Sequence, residues 1–94
     1  MEFEWDDSKD RNNREKHGIA FEEAALIFEG LTLSKTDDRK DYGETRTITM
    51  GQLADQVVVV VVHTDRNGRI RLISARFANR MERKEYNDYR SQIT

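Results

Sequence analysis

The chain contains no cysteine and no proline among its 94 residues. Without cysteine there are neither disulfides nor thiolate metal sites, which fits a reducing compartment. Two histidines, His17 and His63, are too few to build a zinc site. Long hydrophobic runs are missing too. The longest, Val57 to Val62, is far too short to span a bilayer. The start, Met1 to Asp6, lacks the basic residues and apolar stretch of a signal peptide. A soluble, cytoplasmic protein without a membrane partner is expected. P-loop, dinucleotide-fingerprint, Gly-x-Ser-x-Gly and His-Glu-x-x-His motifs are all absent, so nucleotide-hydrolysing and metalloprotease readings have nothing to stand on. Asp37-Asp38 and Asp41 read as a polar loop rather than a magnesium site. Neither a metal nor a cofactor is expected. Repeats and low-complexity segments are also missing.

What is there is charge, 36% of the residues against 36% hydrophobic. This length and balance specify one domain, residues 1–94, with a modest core whose apolar surface a partner can complete. The net charge of -2 hides a split. From Arg66 onward eight basic residues face three acidic ones, whereas Met1 to Asp65 carry eight basic and fifteen acidic. Seven of the eight C-terminal cations are arginine, the side chain that grips phosphate or carboxylate as a planar fork. A basic module of this kind points to a polyanionic ligand, RNA or an acidic partner.

Periodicity gives the elements. Phe3 and Trp5 alternate with glutamates as in a short strand. Asp6 is a helix N-cap, and Gly18 after Lys16-His17 ends that helix with cations in its last turn. The helix has no apolar residue between Asp7 and His17, so Trp5, Ile19 and Phe21 must dock it, with Asp6 and Asn13 holding it in place. Phe21, Ala24, Ala25 and Phe28 have helical spacing, closed by Gly30. Leu31–Ser34 and Thr45–Met50 alternate as strands around a polar loop, Asp37 to Glu44. Gln56–Thr64 is a valine strand of the kind buried on both faces. Asp65-Arg66-Asn67-Gly68 is a hairpin turn, Arg69–Arg76 the returning strand and Asn79–Gln92 a final helix. Helices and strands in runs, without strict alternation, argue for an α+β domain.

Regular alternation places Ile70, Leu72, Ser74 and Arg76 on one face of the returning strand, and Arg69, Arg71, Ile73 and Ala75 on the other. Arg76 ends the strand, while Arg80, Arg83, Asn87 and Arg90 follow at helical spacing. Arg76, Arg80 and Arg83 can then gather around one phosphate. A solvated face with local pairing through Glu82 and Glu85 is the alternative. His17 or His63 can serve as general acid or base in RNA cleavage, where a base takes the ribose 2′-hydroxyl proton and an acid protonates the departing 5′-oxygen. A structural histidine at an element end is the competing explanation. Trp5 reads as a core or interface anchor ahead of a base-stacking residue.

Beyond these patterns, Phe3-x-Trp5-Asp6, Lys9, Asn13 and Lys16-His17-Gly18-Ile19-x-Phe21-Glu22-Glu23-Ala24 resemble the N-terminal signature of BrnT-like toxins. So do Tyr42-Gly43-Glu44-x-Arg46, Gly51, Arg69 to Arg76 with Ala78, Glu82-Arg83, and Tyr86. The resemblance spans roughly Phe3 to Tyr89. It implies a RelE-like α+β fold, an antiparallel sheet of about four to five strands with two N-terminal helices and a C-terminal helix. It also implies a metal-independent endoribonuclease that inhibits translation. A cognate BrnA-like antitoxin with a ribbon-helix-helix part would neutralise it, and operator DNA would be reached only through that complex. By the same analogy Arg46, Arg76 and Arg83 bind phosphate and stabilise the pentacovalent transition state. Lys16 and His17 transfer protons or stabilise the leaving group, and Tyr86 positions substrate. Arg71 and Arg80 add RNA or phosphate contacts. For Arg83 and Tyr86, pinning the last helix to the sheet is an equal alternative. Phe77 after Arg76, His63 at its strand end and the very polar first helix depart from the pattern. A non-catalytic module that docks an antitoxin or nucleic acid, or a co-repressor, is the competing function.

Overall fold

The computed structural model describes residues 1–93. In chain order the elements are β1 (Phe3–Glu4), α1 (Asp7–His17), α2 (Phe21–Ala24) running into a 3-10 helix (Ala25–Glu29), β2 (Thr32–Asp37), β3 (Arg46–Gln52), β4 (Val58–Arg66), β5 (Arg69–Phe77) and α3 (Arg80–Ile93). The strands form one sheet in the order β1-β5-β4-β3-β2. Strands β2 to β5 pair antiparallel, and β1 joins parallel to β5. The sheet is therefore mixed, through an N-terminal strand only two residues long. None of the described helices is long and apolar enough to cross a membrane.

The valine run sits where its composition demands, in the middle of the sheet. Val59 and Val61 face α2 and the 3-10 helix, together with Ile19, Phe21, Ala24, Ile27, Leu72 and Ala75. Val58 and Val60 face the other way, with Met50, Ala78 and Tyr86 of α3. A strand buried on both sides needs apolar residues at every position. The segment after Gly18 departs from a plain α-helix by tightening at Ala25. Its three-residue repeat then buries Phe21, Ala24 and Ile27 and leaves Leu26 half in solvent. Gly51 makes that packing possible, since a Cβ there would lie 2.5 Å from the Ile27 Cβ. The turn at Asn67-Gly68, with φ of 55° and 79°, returns β4 into β5.

Regular alternation fails in β5. His63 pairs with Leu72 but Val62 pairs with Ser74, so Ile73 is an extra residue in a β-bulge. Ile70, Leu72 and Ala75 all pack on the α2 side, whereas Ser74 and Arg76 stand opposite Val62 and Val60 on the α3 side. Ser74 and Arg76 therefore do not share a face with Ile70 and Leu72, as strict alternation requires.

Helix α1 has hardly an apolar side chain, and hydrogen bonds dock it. Asp6 caps it by accepting from the Ser8 and Lys9 amides, and Gly18 closes it at φ 75°. Asp10 accepts the Phe21 amide at 2.8 Å. Buried Asn13 takes the Ala75 amide at 3.1 Å and donates to the carbonyls of Ala75 at 2.8 Å and Ile19 at 3.0 Å. Trp5 meets Phe21 edge to face at the expected docking point. The helix thus occupies the β5 edge beyond the end of β1. At the far edge β2 shows solvent the exposed Ser34, Lys35 and Thr36. Replacing Asn13 by Ala leaves a buried amide and two carbonyls unpaired, so we expect a loss of roughly 2–4 kcal/mol in urea unfolding. An unchanged midpoint would mean that α1 is held by something else.

Candidate functional site

Helix α3 covers only part of its side of the sheet. One row of cross-strand neighbours, Leu33–Met50–Val60–Arg76, begins under the helix. The next row, Lys35–Ile48–Val62–Ser74, is only partly buried. Beyond it Asp37 pairs with Arg46. This floor of two aliphatic side chains and one hydroxyl is bordered by charges of both signs, with Glu82 and Glu85 beside Lys35 and Ile48 on the α3 side. Arg39 lies close enough to Arg76 to oppose its charge, and Lys35 close enough to Glu82 to favour its ionised form.

At the β5 edge the floor opens into a cleft of about 320 Å³ lined by Lys9, Asn12, Asn13, Lys16, His17, Arg46, Ile73 and Ser74. Two structural devices assemble it. The Asn13 clasp lays one face of α1 along β5, so that Lys9, Asn12, Asn13 and Lys16, spaced by three and four residues, look onto the strand. The bulge turns Ser74 out of the core to stand beside Ile73 in the cleft. Arg46, at the start of β3, completes the wall. Every ionisable group of the lining is basic, so the cleft is suited to a phosphodiester.

Lys16, His17 and Arg46, chosen from the sequence, therefore share one cleft. The others take different places. Arg76 makes a two-pronged ion pair with Glu82, at 2.7 and 2.8 Å. Glu82 is at the same time half of a capping box, accepting the Asn79 amide while Asn79 accepts its own. Arg83 is exposed and donates to the Ala78 carbonyl at 3.0 Å, and Arg80 is exposed in the first turn of α3. Arg76 and Arg83 are thus each engaged by a partner within the fold. Arg71 pairs with Glu4 at 2.7 Å and ties β1 to β5. Tyr86 is 2% exposed and donates its hydroxyl to the Leu31 carbonyl at 2.8 Å, which fastens α3 to the chain entering β2. Lys9, Asn12, Asn13, Ile73 and Ser74 are the cleft residues that the sequence reading did not select for the site. The helical spacing of Lys9 and Asn12 with Lys16 carried the signal, but Ser74 depends on the bulge.

His63 lies on the opposite side of the sheet. Its Nε2 is 2.7 Å from the buried Thr49 hydroxyl, which is 2.7 Å from that of Ser34, and its ring meets Phe28 edge to face. Burial pushes its pKa down, as suits a neutral imidazole packed on an apolar face. It borders a separate opening of about 520 Å³ with Thr47, Thr64, Asp65 and Ile70. Of the two histidines, only His17 reaches the basic cleft.

A family model described as the ribonuclease toxin BrnT of type II toxin–antitoxin systems matches residues 5–82. Comparison with curated proteins finds no match. Among solved structures, the 1.1 Å crystal structure of the Brucella abortus ribonuclease toxin BrnT superposes with a TM-score of 0.63 at 22% identity. The alignment covers 85% of this chain and 99% of that one, and shows a common fold.

The Arg76–Glu82 pair has a pH signature. The guanidinium beside it holds the Glu82 carboxyl at about 2, below its ordinary 4.5. The contribution is complete above pH 4.5 and disappears as pH falls toward 2. Glu82→Gln should thus be less stable than the parent at neutral pH, by a margin that shrinks over this interval. A margin independent of pH in urea titrations would exclude the ion pair as its source.

Proposed function

The chain belongs to the BrnT family of ribonuclease toxins of type II toxin–antitoxin systems, and from that premise we propose that the basic cleft beside β5 is an endoribonuclease active site working without a metal ion. The observation that carries this reading is the meeting of Lys16, His17 and Arg46 over Ser74 in one cleft lined by cations and amides. A phosphodiester entering it finds its charge opposed by side chains. As the 2′-oxygen attacks phosphorus and the 5′-oxygen departs, the phosphoryl oxygens gain charge, which Arg46 and Lys16 stabilise. His17, at the C-terminal end of α1, exchanges the proton, as base toward the 2′-hydroxyl or as acid toward the leaving oxygen. The products are a 2′,3′-cyclic phosphate and a free 5′-hydroxyl.

Arg76 and Arg83 bind RNA at the rim, with Arg80 as an outer phosphate contact, while Arg71 and Tyr86 serve the fold through Glu4 and Leu31. In the cytoplasm such an enzyme arrests translation. Its partner is a cognate antitoxin, a BrnA-like ribbon-helix-helix protein that covers the arginines with acidic residues and carries the complex to operator DNA. The 94-residue chain acts as a single toxin domain.

Protein freed of antitoxin should cleave single-stranded RNA in EDTA. His17→Ala or Arg46→Ala should lower kcat on the order of 10²-fold or more while antitoxin binding persists. RNA left intact by the parent protein, together with harmless expression, would instead favour a non-catalytic docking module. A variant that loses antitoxin binding but not cleavage would assign the cleft cations to the partner.

A further inference from the structure

Arg46 is the cleft cation whose surroundings are most fully built, and they come from the β2–β3 loop. Its guanidinium carbon stands 3.9 Å from the centre of the Tyr42 ring, and Nε reaches Glu44 at 3.3 Å. Neither Nη makes a hydrogen bond among the described residues, so the fork edge is left for a ligand while the ring covers one face. The loop is folded to permit this. The Asp41 carboxylate accepts the Gly43 amide at 2.9 Å, and Gly43 takes a φ of 74°. Behind it Asp37, with no exposed side-chain surface, is gripped by Arg39 through Nε at 2.7 Å and Nη2 at 2.8 Å, and Tyr42 lies against that same pair. Lys40 caps the Tyr42 ring from 5.1 Å. Tyr42 does not itself line the cleft.

We propose that Tyr42 is the positioning residue of this site: it holds the Arg46 guanidinium in one plane, its Nη1–Nη2 edge ready for two oxygens of the scissile phosphate. This rests on the ribonuclease reading of the cleft. A free arginine samples many rotamers, and fixing one on substrate binding costs side-chain entropy. Stacking on an aromatic face removes most of that freedom before substrate arrives. The loop is thus a working part of the active site although none of its residues between Asp37 and Thr45 touches the reacting atoms. It also explains why a tyrosine, polar at one end and flat along its length, stands there: its rim meets the Asp37–Arg39 pair and its face meets Arg46.

The test is a double-mutant cycle read with a fluorophore–quencher RNA oligonucleotide, using Tyr42→Leu, Tyr42→Phe, Arg46→Ala and the Leu/Ala double variant. Tyr42→Leu keeps apolar bulk without the π face. It should lower kcat on the order of 10- to 100-fold with little change in KM, at an unchanged melting temperature. Tyr42→Phe should restore kcat, and Tyr42→Leu should add nothing in the Arg46→Ala background. The ring-current shift of the Arg46 Nε–H resonance should vanish in Tyr42→Leu and persist in Tyr42→Phe. Equal losses from Tyr42→Leu with and without Arg46 would overturn the proposal, as would a full-rate Tyr42→Leu beside an impaired Arg46→Ala. An Arg46→Ala protein that cleaves at the parent rate, or a parent that does not cleave, removes the ribonuclease reading of this cleft itself and this proposal with it.

Discussion

Asn13 makes with β5 the two hydrogen bonds that another strand would make, and the site exists because of it. One amide side chain accepts from the Ala75 amide and donates to its carbonyl. The same nitrogen holds the Ile19 carbonyl and so fixes the turn leaving α1. A helix with almost no apolar surface has little hydrophobic reason to sit anywhere. Polar contacts worth about 1 kcal/mol each when made, and more when broken, set its place instead. No buried side-chain polar atom among the described residues lacks a partner. Lys16 and His17, three and four residues further along, inherit their position from that anchor.

The bulge is the second constraint. One extra residue in β5 reverses the sides taken by everything after it, so that Leu72 and Ala75 serve the same core while Ser74 and Arg76 leave it. The anchor and the bulge act on the same stretch, since Ala75 follows Ser74 directly. The floor of the cleft and the helix along its edge are accordingly set by one short segment of one strand.

Much of this was legible in the sequence. The N-cap Asp6, the stop at Gly18, the Asn67-Gly68 turn and the doubly buried valine strand each follow from local chemistry acting over a few residues. The family resemblance brought Lys16, His17 and Arg46 forward, and they do share a cleft. What escaped was long-range. A period-two pattern in Arg69–Arg76 carries no mark of the bulge, because Ile73 looks like any strand residue until its partner strand is present. The arginine cluster escaped for a related reason. Local pairing through Glu82 was the alternative and holds, but helical spacing does not reveal that the arginine Glu82 takes is Arg76 from the strand.

The sheet has one blocked side and one open side, and that asymmetry governs how another molecule approaches. Beside β5, the short β1 and then the Asn13 clasp occupy the backbone groups that strand addition would need. At β2 they remain available beside Ser34, Lys35 and Thr36. A chain that extended the sheet would therefore dock at β2, away from the cleft lining, and leave α1 untouched. One that came in along β5 would first have to compete with an amide already seated there. Growth of the sheet is thus directional: open at the β2 edge and closed at the edge that carries the cleft.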